Sequence, residues 1–314
     1  MNILLWSVGL IAGFFLLIKG ADVFVAASVN IANRLKVPNI IIGLTIVALG
    51  TSAPEAVISV SAAFAGDVDM AVGNVIGSNV FNLLFIIGVC AIVRPMLVDK
   101  ASITKDFWIS IAAALLLLLM NLVFTDTIPR LMSVILLVLF AGYIYILIRQ
   151  AMKHRDPEIH EEENHHLPLP RNILFVLLGI AVIVIGGQLV VNSAVFFAEL
   201  FGVSPRIIGL TILAIGTSLP ELVVSLVACK KGNNDVALGN VIGSNIFNIL
   251  FVLGLAGSTA PLPIQSEGLT DILFLIAGSL VFFGFAISGK KITRLEGLGL
   301  VGLYAAYMVF TLIF

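Results

Sequence analysis

Two glutamates, Glu55 and Glu221, stand near the middle of apolar segments and inside one repeated pattern. Gly43-Leu-Thr-Ile-Val-Ala-Leu-Gly-Thr-Ser-Ala-Pro-Glu55 recurs as Gly209-Leu-Thr-Ile-Leu-Ala-Ile-Gly-Thr-Ser-Leu-Pro-Glu221. Likewise Gly73-Asn-Val-Ile-Gly-Ser-Asn-Val-Phe-Asn82 recurs as Gly239-Asn-Val-Ile-Gly-Ser-Asn-Ile-Phe-Asn248, and both pairs share an offset of 166. A carboxylate at mid-bilayer costs on the order of 2.5–3.5 kcal/mol even on insertion scales, so it persists only where something offsets it. The one cation in the matching segments is Lys19; Ile185 stands at its counterpart, and Asp22 lies one helical turn away as a local partner. A bound cation therefore explains two repeated glutamates better than a salt bridge does.

The neighbouring residues suit such a cation. Pro54 cannot donate to the Gly50 carbonyl, nor Pro220 to that of Gly216, which leaves a free carbonyl beside each glutamate. Thr51 shares a helix face with Glu55, and Thr217 with Glu221. Asn74, Ser78 and Asn82 form a polar stripe at four-residue spacing, repeated as Asn240, Ser244 and Asn248. Carboxylate, hydroxyl, amide and carbonyl are hard oxygen ligands, of which Ca²⁺ takes roughly six to eight at about 2.3–2.6 Å. With no His in an apolar segment and no polar Cys cluster, Zn²⁺, copper and iron are disfavoured and Na⁺ or Ca²⁺ is expected. Taken singly, Ser59 and Ser225 are expected to bond their own backbone. Asn74 and Asn240 suit helix packing as well as ligation, and both readings stay open.

The elements that hold these residues must be membrane helices. Of 314 residues, 60% are hydrophobic and 11% charged, with a mean hydropathy of +1.15. That charge is under half of the roughly 25% usual in soluble proteins, which excludes a soluble enzyme or a secreted disulfide scaffold. The net charge of −1 offers no surface for nucleic acid. Segments of about 20 apolar residues fall at about 3–32, 39–65, 70–92, 106–124, 130–150, 171–200, 206–229, 235–258, 270–288 and 294–313. Placing successive loops on alternate sides puts fourteen Lys and Arg on one side and two on the other. The positive-inside rule then puts both termini outside and the 151–170 linker in the cytoplasm. The apolar stretch from Ile3 lacks a positive leader and is read as a retained first helix. Cys90 and Cys229 are read as small hydrophobes.

The expected fold class is thus an all-α polytopic membrane protein of ten helices. Residues 1–150 form one five-helix repeat and 171–314 the other, integrated in one membrane domain. An odd number of helices per repeat inverts the second copy, and inverted repeats with interrupted polar helices mark secondary transporters. Packing alone would preserve small and apolar positions, yet here Glu, Asn, Thr and Ser are repeated.

The two duplicated motifs resemble the alpha repeats of the sodium/calcium exchanger family, within the wider cation/calcium antiporter superfamily. Gly50-Thr-Ser-Ala-Pro-Glu55 and Gly216-Thr-Ser-Leu-Pro-Glu221 are similar to its first signature, and Gly77-Ser-Asn-Val-Phe-Asn82 and Gly243-Ser-Asn-Ile-Phe-Asn248 to its second. The resemblance implies an antiporter in which Ca²⁺ and Na⁺ compete for Glu55 and Glu221, with the carbonyls of Thr51 and Thr217 completing the calcium site. It implies flanking sodium sites at Ser52, Ser218, Ser78, Ser244 and the carbonyls of Ala48 and Ala214. Asn82 and Asn248 take the remaining central positions. Several relatives, potassium-dependent ones among them, carry Asp where Asn248 stands, so this chain lacks a possible third carboxylate and potassium coupling is disfavoured. The resemblance further implies that the first and sixth helices slide as a gate. Their glycines, Gly9, Gly13, Gly20, Gly179, Gly186 and Gly187, suit sliding and plain packing alike.

Two carboxylates balance one Ca²⁺ or two Na⁺, so a loaded centre crosses the barrier near neutrality while an empty one carries two buried charges. That penalty favours exchange over leak. The expected partners are Ca²⁺ and Na⁺ as cargo and the lipid bilayer, with no resident cofactor and no obligate protein partner. The linker histidines His154, His160, His165 and His166 sit among acidic residues and are read as part of a solvated loop. Asp67, Asp69 and Asp235 at outer helix ends either attract cations or merely face water. Proton/calcium exchange is the competing transport reading, although those relatives usually show Gly-Asn-x-x-Glu. An intramembrane hydrolase lacks a dyad here, and inverted broken helices suit alternating access better than a channel.

Overall fold

The computed structural model describes residues 2–66, 68–98, 100–124, 127–153, 168–203, 212, 214–263, 266–289 and 291–313. It opens with a long helix, α1 (Asn2–Leu35), followed by a pair, α2 (Asn39–Thr51) and α3 (Ala53–Ala65), bent by 48°. Then come α4 (Val68–Val93), β1 (Met96–Leu97), α5 (Lys100–Val123), β2 (Thr127–Ile128) and α6 (Arg130–Lys153). Beyond the linker lie α7 (Leu169–Leu200), the short α8 (Ala214–Thr217), α9 (Leu219–Lys230), α10 (Asn234–Thr259), β3 (Leu262–Pro263), α11 (Ser266–Ser288), β4 (Lys291–Ile292) and α12 (Arg294–Ile313). Every apolar segment expected from the sequence is helical over most of its described length. Among the described residues seven helices are long and apolar enough to cross a membrane, eight if the bent pair counts as one span. The start of the 206–229 segment, Asp67, and residues 154–167 with all four histidines lie outside the described residues.

Local chemistry sets the boundaries. Pro38 and Pro168 precede α2 and α7, where a missing N–H costs nothing. Gly66 closes α3 at φ 88°, a left-handed conformation that glycine adopts without a Cβ clash. Thr293 and Glu296 form a capping box at α12: the Thr293 N–H donates to Glu296 Oε2 at 2.7 Å, and the Glu296 N–H to Thr293 Oγ1 at 3.3 Å. The strands pair β1 with β4 and β2 with β3, both antiparallel.

Packing sorts the helices into an interior and a rim. In α10 every residue from Val236 to Phe247 is buried, and α4 is mostly buried as well. Helices α5, α6, α11 and α12 leave many large apolar side chains exposed, such as Leu119, Val138, Leu280 and Val309, as a lipid-facing rim requires. π-Helical stretches at Gly43–Val47, Phe81–Ile86 and Asn248–Val252 lie in α2, α4 and α10. Such widened turns are frequent at functional sites.

The glycines of the long helices have a defined place. A Cβ on Gly186 would sit 2.8 Å from both the Gly13 carbonyl and the Leu17 nitrogen, and one on Gly13 would sit 2.9 Å from the Gly186 carbonyl. Gly20 and Gly179 make similar close approaches to Ile183 and Phe24. These four glycines therefore weld α1 to α7 rather than lining a surface against the remaining helices. Backbone cannot move aside as a side chain can, so Gly186→Ala is expected to destabilise the protein by about 1–3 kcal/mol. A lowered Tm in detergent checks this, with an unchanged Tm counting against the contact.

One local expectation changes. Asp22 does not need Lys19: it pairs with Lys231 at 3.0 Å, and Lys231 Nζ also donates to the Asp22 carbonyl at 3.1 Å. Lys231 follows α9 directly, so this contact ties α1 to the end of that half-helix.

Candidate cation site

Each repeated motif breaks its helix at a serine. Ser52 (φ −84°, ψ 6°) separates α2 from α3, and Ser218 (φ −93°, ψ 9°) separates α8 from α9. The prolines at positions 54 and 220 fall in the first turn of the new helix, where they are tolerated, and Glu55 and Glu221 follow in that same turn. Ser-x-x-Glu at a helix start is a capping-box signature. Neither serine caps its own helix.

The serines cross instead to the other repeat. Ser52 donates to Glu221 Oε1 at 2.7 Å, and Ser218 donates to Glu55 Oε1 at 3.1 Å. Ser244 Oγ lies 2.9 Å from Ser52 Oγ, within hydrogen-bond distance. Both glutamates are fully buried. Each remaining carboxylate oxygen, Glu55 Oε2 and Glu221 Oε2, has no hydrogen-bond donor from the protein.

The partner helices α4 and α10 supply amides with the same exchange of partners. Asn82 Nδ2 donates to Asn245 Oδ1 at 3.3 Å and Asn248 Nδ2 to Asn79 Oδ1 at 3.2 Å. Asn79 Nδ2 donates to the Asn245 carbonyl at 3.1 Å, and Asn245 Nδ2 returns the bond to the Asn79 carbonyl at 3.2 Å. Asn82 Oδ1, Asn248 Oδ1 and Ser78 Oγ are buried without a partner. An unsatisfied buried polar atom typically costs about 1–3 kcal/mol. Four acceptor oxygens, Glu55 Oε2, Glu221 Oε2, Asn82 Oδ1 and Asn248 Oδ1, are thus left bare at matching positions of the two repeats, and all four are hard donors of the kind that could hold a cation.

The residues named from the sequence thus divide. Ser52, Glu221 and Ser244 join one buried hydrogen-bonded group, Ser218 and Glu55 pair likewise, and Asn82 and Asn248 bond to Asn245 and Asn79, while the Ser78 hydroxyl on α4 is buried without a partner. The threonine hydroxyls take other partners: Thr51 Oγ1 lies 3.0 Å from Asn240 Oδ1 and 3.1 Å from the Val47 carbonyl, while Thr217 Oγ1 donates to Asn74 Oδ1 at 3.3 Å. The Ala48 carbonyl already accepts the Ser52 N–H at 3.0 Å and lies 3.4 Å from Thr51 Oγ1, and Ala214 opens α8. Asn74 and Asn240 are committed to packing, since each donates 2.9 Å to a serine, Ser59 and Ser225 respectively. Those two serines accept an amide rather than bonding only their own helix.

Asn79 and Asn245 are the residues missed by sequence reasoning. They sit one position off the four-residue stripe, but both belong to the repeated Gly-Ser-Asn and are buried. A duplicated amide inside an apolar helix was the available signal. Among the described residues no three His, Cys, Asp or Glu side chains gather. The two thiols, distant in sequence, also meet: Cys229 Sγ lies 3.5 Å from the Cys90 carbonyl, and both are free.

Comparison with known proteins converges on one group. The family model described as sodium/calcium exchanger protein matches residues 5–149 and 171–313. The protein called CaxA from Alkalimonas amylolytica is 39% identical over 311 residues, covering 96% of this chain and 97% of its own length. The sodium/calcium exchanger MaX1 of Methanosarcina acetivorans is 34% identical over 342 residues, with 96% of each chain covered. The solved structure of the sodium-calcium exchanger NCX_Mj superposes with a TM-score of 0.83 at 31% identity, covering 98% of this chain and 99% of that one.

Proposed function

This chain belongs to the sodium/calcium exchanger protein family, and we propose that it is a secondary antiporter that exchanges Na⁺ for Ca²⁺ at the buried site between its repeats. The observation that carries this reading is the set of four bare oxygens, Glu55 Oε2, Glu221 Oε2, Asn82 Oδ1 and Asn248 Oδ1. The Thr51 and Thr217 carbonyls complete the calcium ligands, raising them to the roughly six that Ca²⁺ takes at the least. Ser52, Ser218, Ser78, Ser244 and the carbonyls of Ala48 and Ala214 serve Na⁺ on either flank. One Ca²⁺ or two Na⁺ neutralises the two carboxylates, whereas the empty centre keeps two charges in a low-dielectric interior. Reorientation is therefore easy when loaded and costly when empty, which couples the two ions.

Ten spans arranged as two inverted five-helix halves, with both termini outside and the 151–170 linker in the cytoplasm, position this site at mid-membrane. Contacts between loops distant in sequence support that alternation. β1 pairs with β4 and Arg94 donates to the Lys230 carbonyl at 3.0 Å, all between loops assigned to the cytoplasm. β2 pairs with β3 and Arg130 donates to the Thr259 carbonyl at 2.8 Å, all between loops assigned outside. No contact in these four joins loops of opposite assignment.

The test is uptake of radiolabelled Ca²⁺ into proteoliposomes of the purified protein, driven by an outward Na⁺ gradient or, separately, an outward H⁺ gradient. Uptake with Na⁺ alone is expected. Uptake with the proton gradient alone would replace the sodium assignment while keeping the site, and uptake with neither would remove the exchange reading.

A further inference from the structure

The central asparagines, Asn82 and Asn248, serve cations only if their carboxamides turn oxygen and not nitrogen toward the site. A carboxamide is nearly symmetric in shape, so packing alone does not choose between the two ends. The choice here is traceable atom by atom to the main chain. Each of Asn79 and Asn245 points one end of its amide at the other's backbone carbonyl, at 3.1 and 3.2 Å. A carbonyl oxygen only accepts, so the end that meets it must be Nδ2. Their Oδ1 atoms then face the opposite way, toward Asn248 and Asn82 at 3.2 and 3.3 Å. An oxygen there demands a donor, which forces Nδ2 of Asn82 and Asn248 inward and leaves both Oδ1 atoms bare. A flip at either central residue would set two acceptors against each other and aim an N–H at the cation.

From this chain of constraints we propose that Asn79 and Asn245 are positioning residues for ion binding: anchored on two backbone carbonyls, they set which end of Asn248 and Asn82 meets the ions. The proposal rests on the exchange reading of the same site. It assigns Asn79 to Asn248 and Asn245 to Asn82, each across the contact between α4 and α10. A purely structural role is the competing account, because the reciprocal amide bonds also bolt those two helices together. The two accounts differ in which residues are coupled.

The experiment measures KM for Ca²⁺ and Vmax in Na⁺-driven proteoliposome uptake for the wild type and for Asn79→Ala, Asn248→Ala, Asn82→Ala and their pairwise combinations. Asn79→Ala is expected to raise KM about tenfold with Vmax within about twofold, the size of effect that loss of one positioned charge-assisted ligand produces. Asn79→Ala with Asn248→Ala should be no worse than the weaker single variant within about twofold, since both remove the same oriented ligand. Asn79→Ala with Asn82→Ala should multiply. A second cycle, Asn245→Ala against Asn82→Ala and Asn248→Ala, should show the reverse partnership and keeps the test decisive if one variant does not fold. Equal coupling to both central asparagines, or none to either, in a transporting background overturns the positioning role. Absence of sodium-driven uptake in the wild type itself is the separate outcome that removes the exchange reading.

Discussion

Sodium-driven calcium uptake is expected to fall by at least about a hundredfold in Glu221→Gln, and equally in Glu55→Gln, with the protein still folded. Glutamine keeps the size of the side chain and an oxygen able to accept the Ser52 hydroxyl, which now bonds Glu221 Oε1 at 2.7 Å. What it removes is one of the two charges that balance Ca²⁺. At about 4 Å and an effective dielectric of about 20, a unit charge pair is worth about 4 kcal/mol, and the ion is divalent. The loaded centre also acquires a net positive charge that must cross the barrier. Because Ser218 and Ser52 hold the two carboxylates in the same way from opposite repeats, the two single variants should be alike. Radiolabelled uptake in matched proteoliposomes checks this, with thermal melting as the control for folding. Full uptake in either variant would remove that carboxylate from the calcium site.

Asn248→Asp should have the second-largest effect, in a different direction. The substitution converts a buried amide oxygen without a partner into a carboxylate of nearly the same shape, and it also replaces the Nδ2 donor that meets Asn79 Oδ1 at 3.2 Å, so part of its effect passes through Asn79. Ca²⁺ should bind at least about tenfold tighter, as the added Coulomb attraction requires. The calcium-loaded centre would then carry one negative charge where the wild type is neutral, and reorientation should slow about tenfold or more at pH 8. Acidification protonates the introduced carboxyl, returns the centre to neutrality and should restore the rate. In the wild type the same acidification has the opposite sense, since protonation of Glu55 or Glu221 removes a calcium ligand. A lowered KM and Vmax at pH 8, with Vmax recovering on acidification, is the expected pattern. An unchanged KM with a raised Vmax would falsify the charge-balance account.

Much of this molecule is legible along the chain because helical periodicity and the bilayer act on local sequence. Runs of about 20 apolar residues locate the helices, and proline and glycine mark their ends, as at Pro38, Gly66 and Pro168. The 166-residue repeat singles out Glu55 with Glu221 and Asn82 with Asn248, since the cost of burying such groups excludes chance retention. Donor chemistry follows from residue type alone: the two carboxylates, the amides and the hydroxyls of the repeated motifs all offer hard oxygens.

The sequence by itself therefore determined where the helices fall and which residues repeat. Which atom meets which was decided only in three dimensions, because periodicity says which face a residue occupies but not what lies opposite. Ser52 stands three residues from Glu55, yet its hydroxyl serves Glu221, since the helix breaks between them and the two repeats approach across it. Asp22 passes over Lys19 for Lys231. Asn79 and Asn245 lie off the polar stripe and acquire a role only because their amides find each other's backbone across 166 residues. Hydrogen bonds are short and directional, so these choices rest on contacts between segments distant in sequence, which only the packed structure brings together.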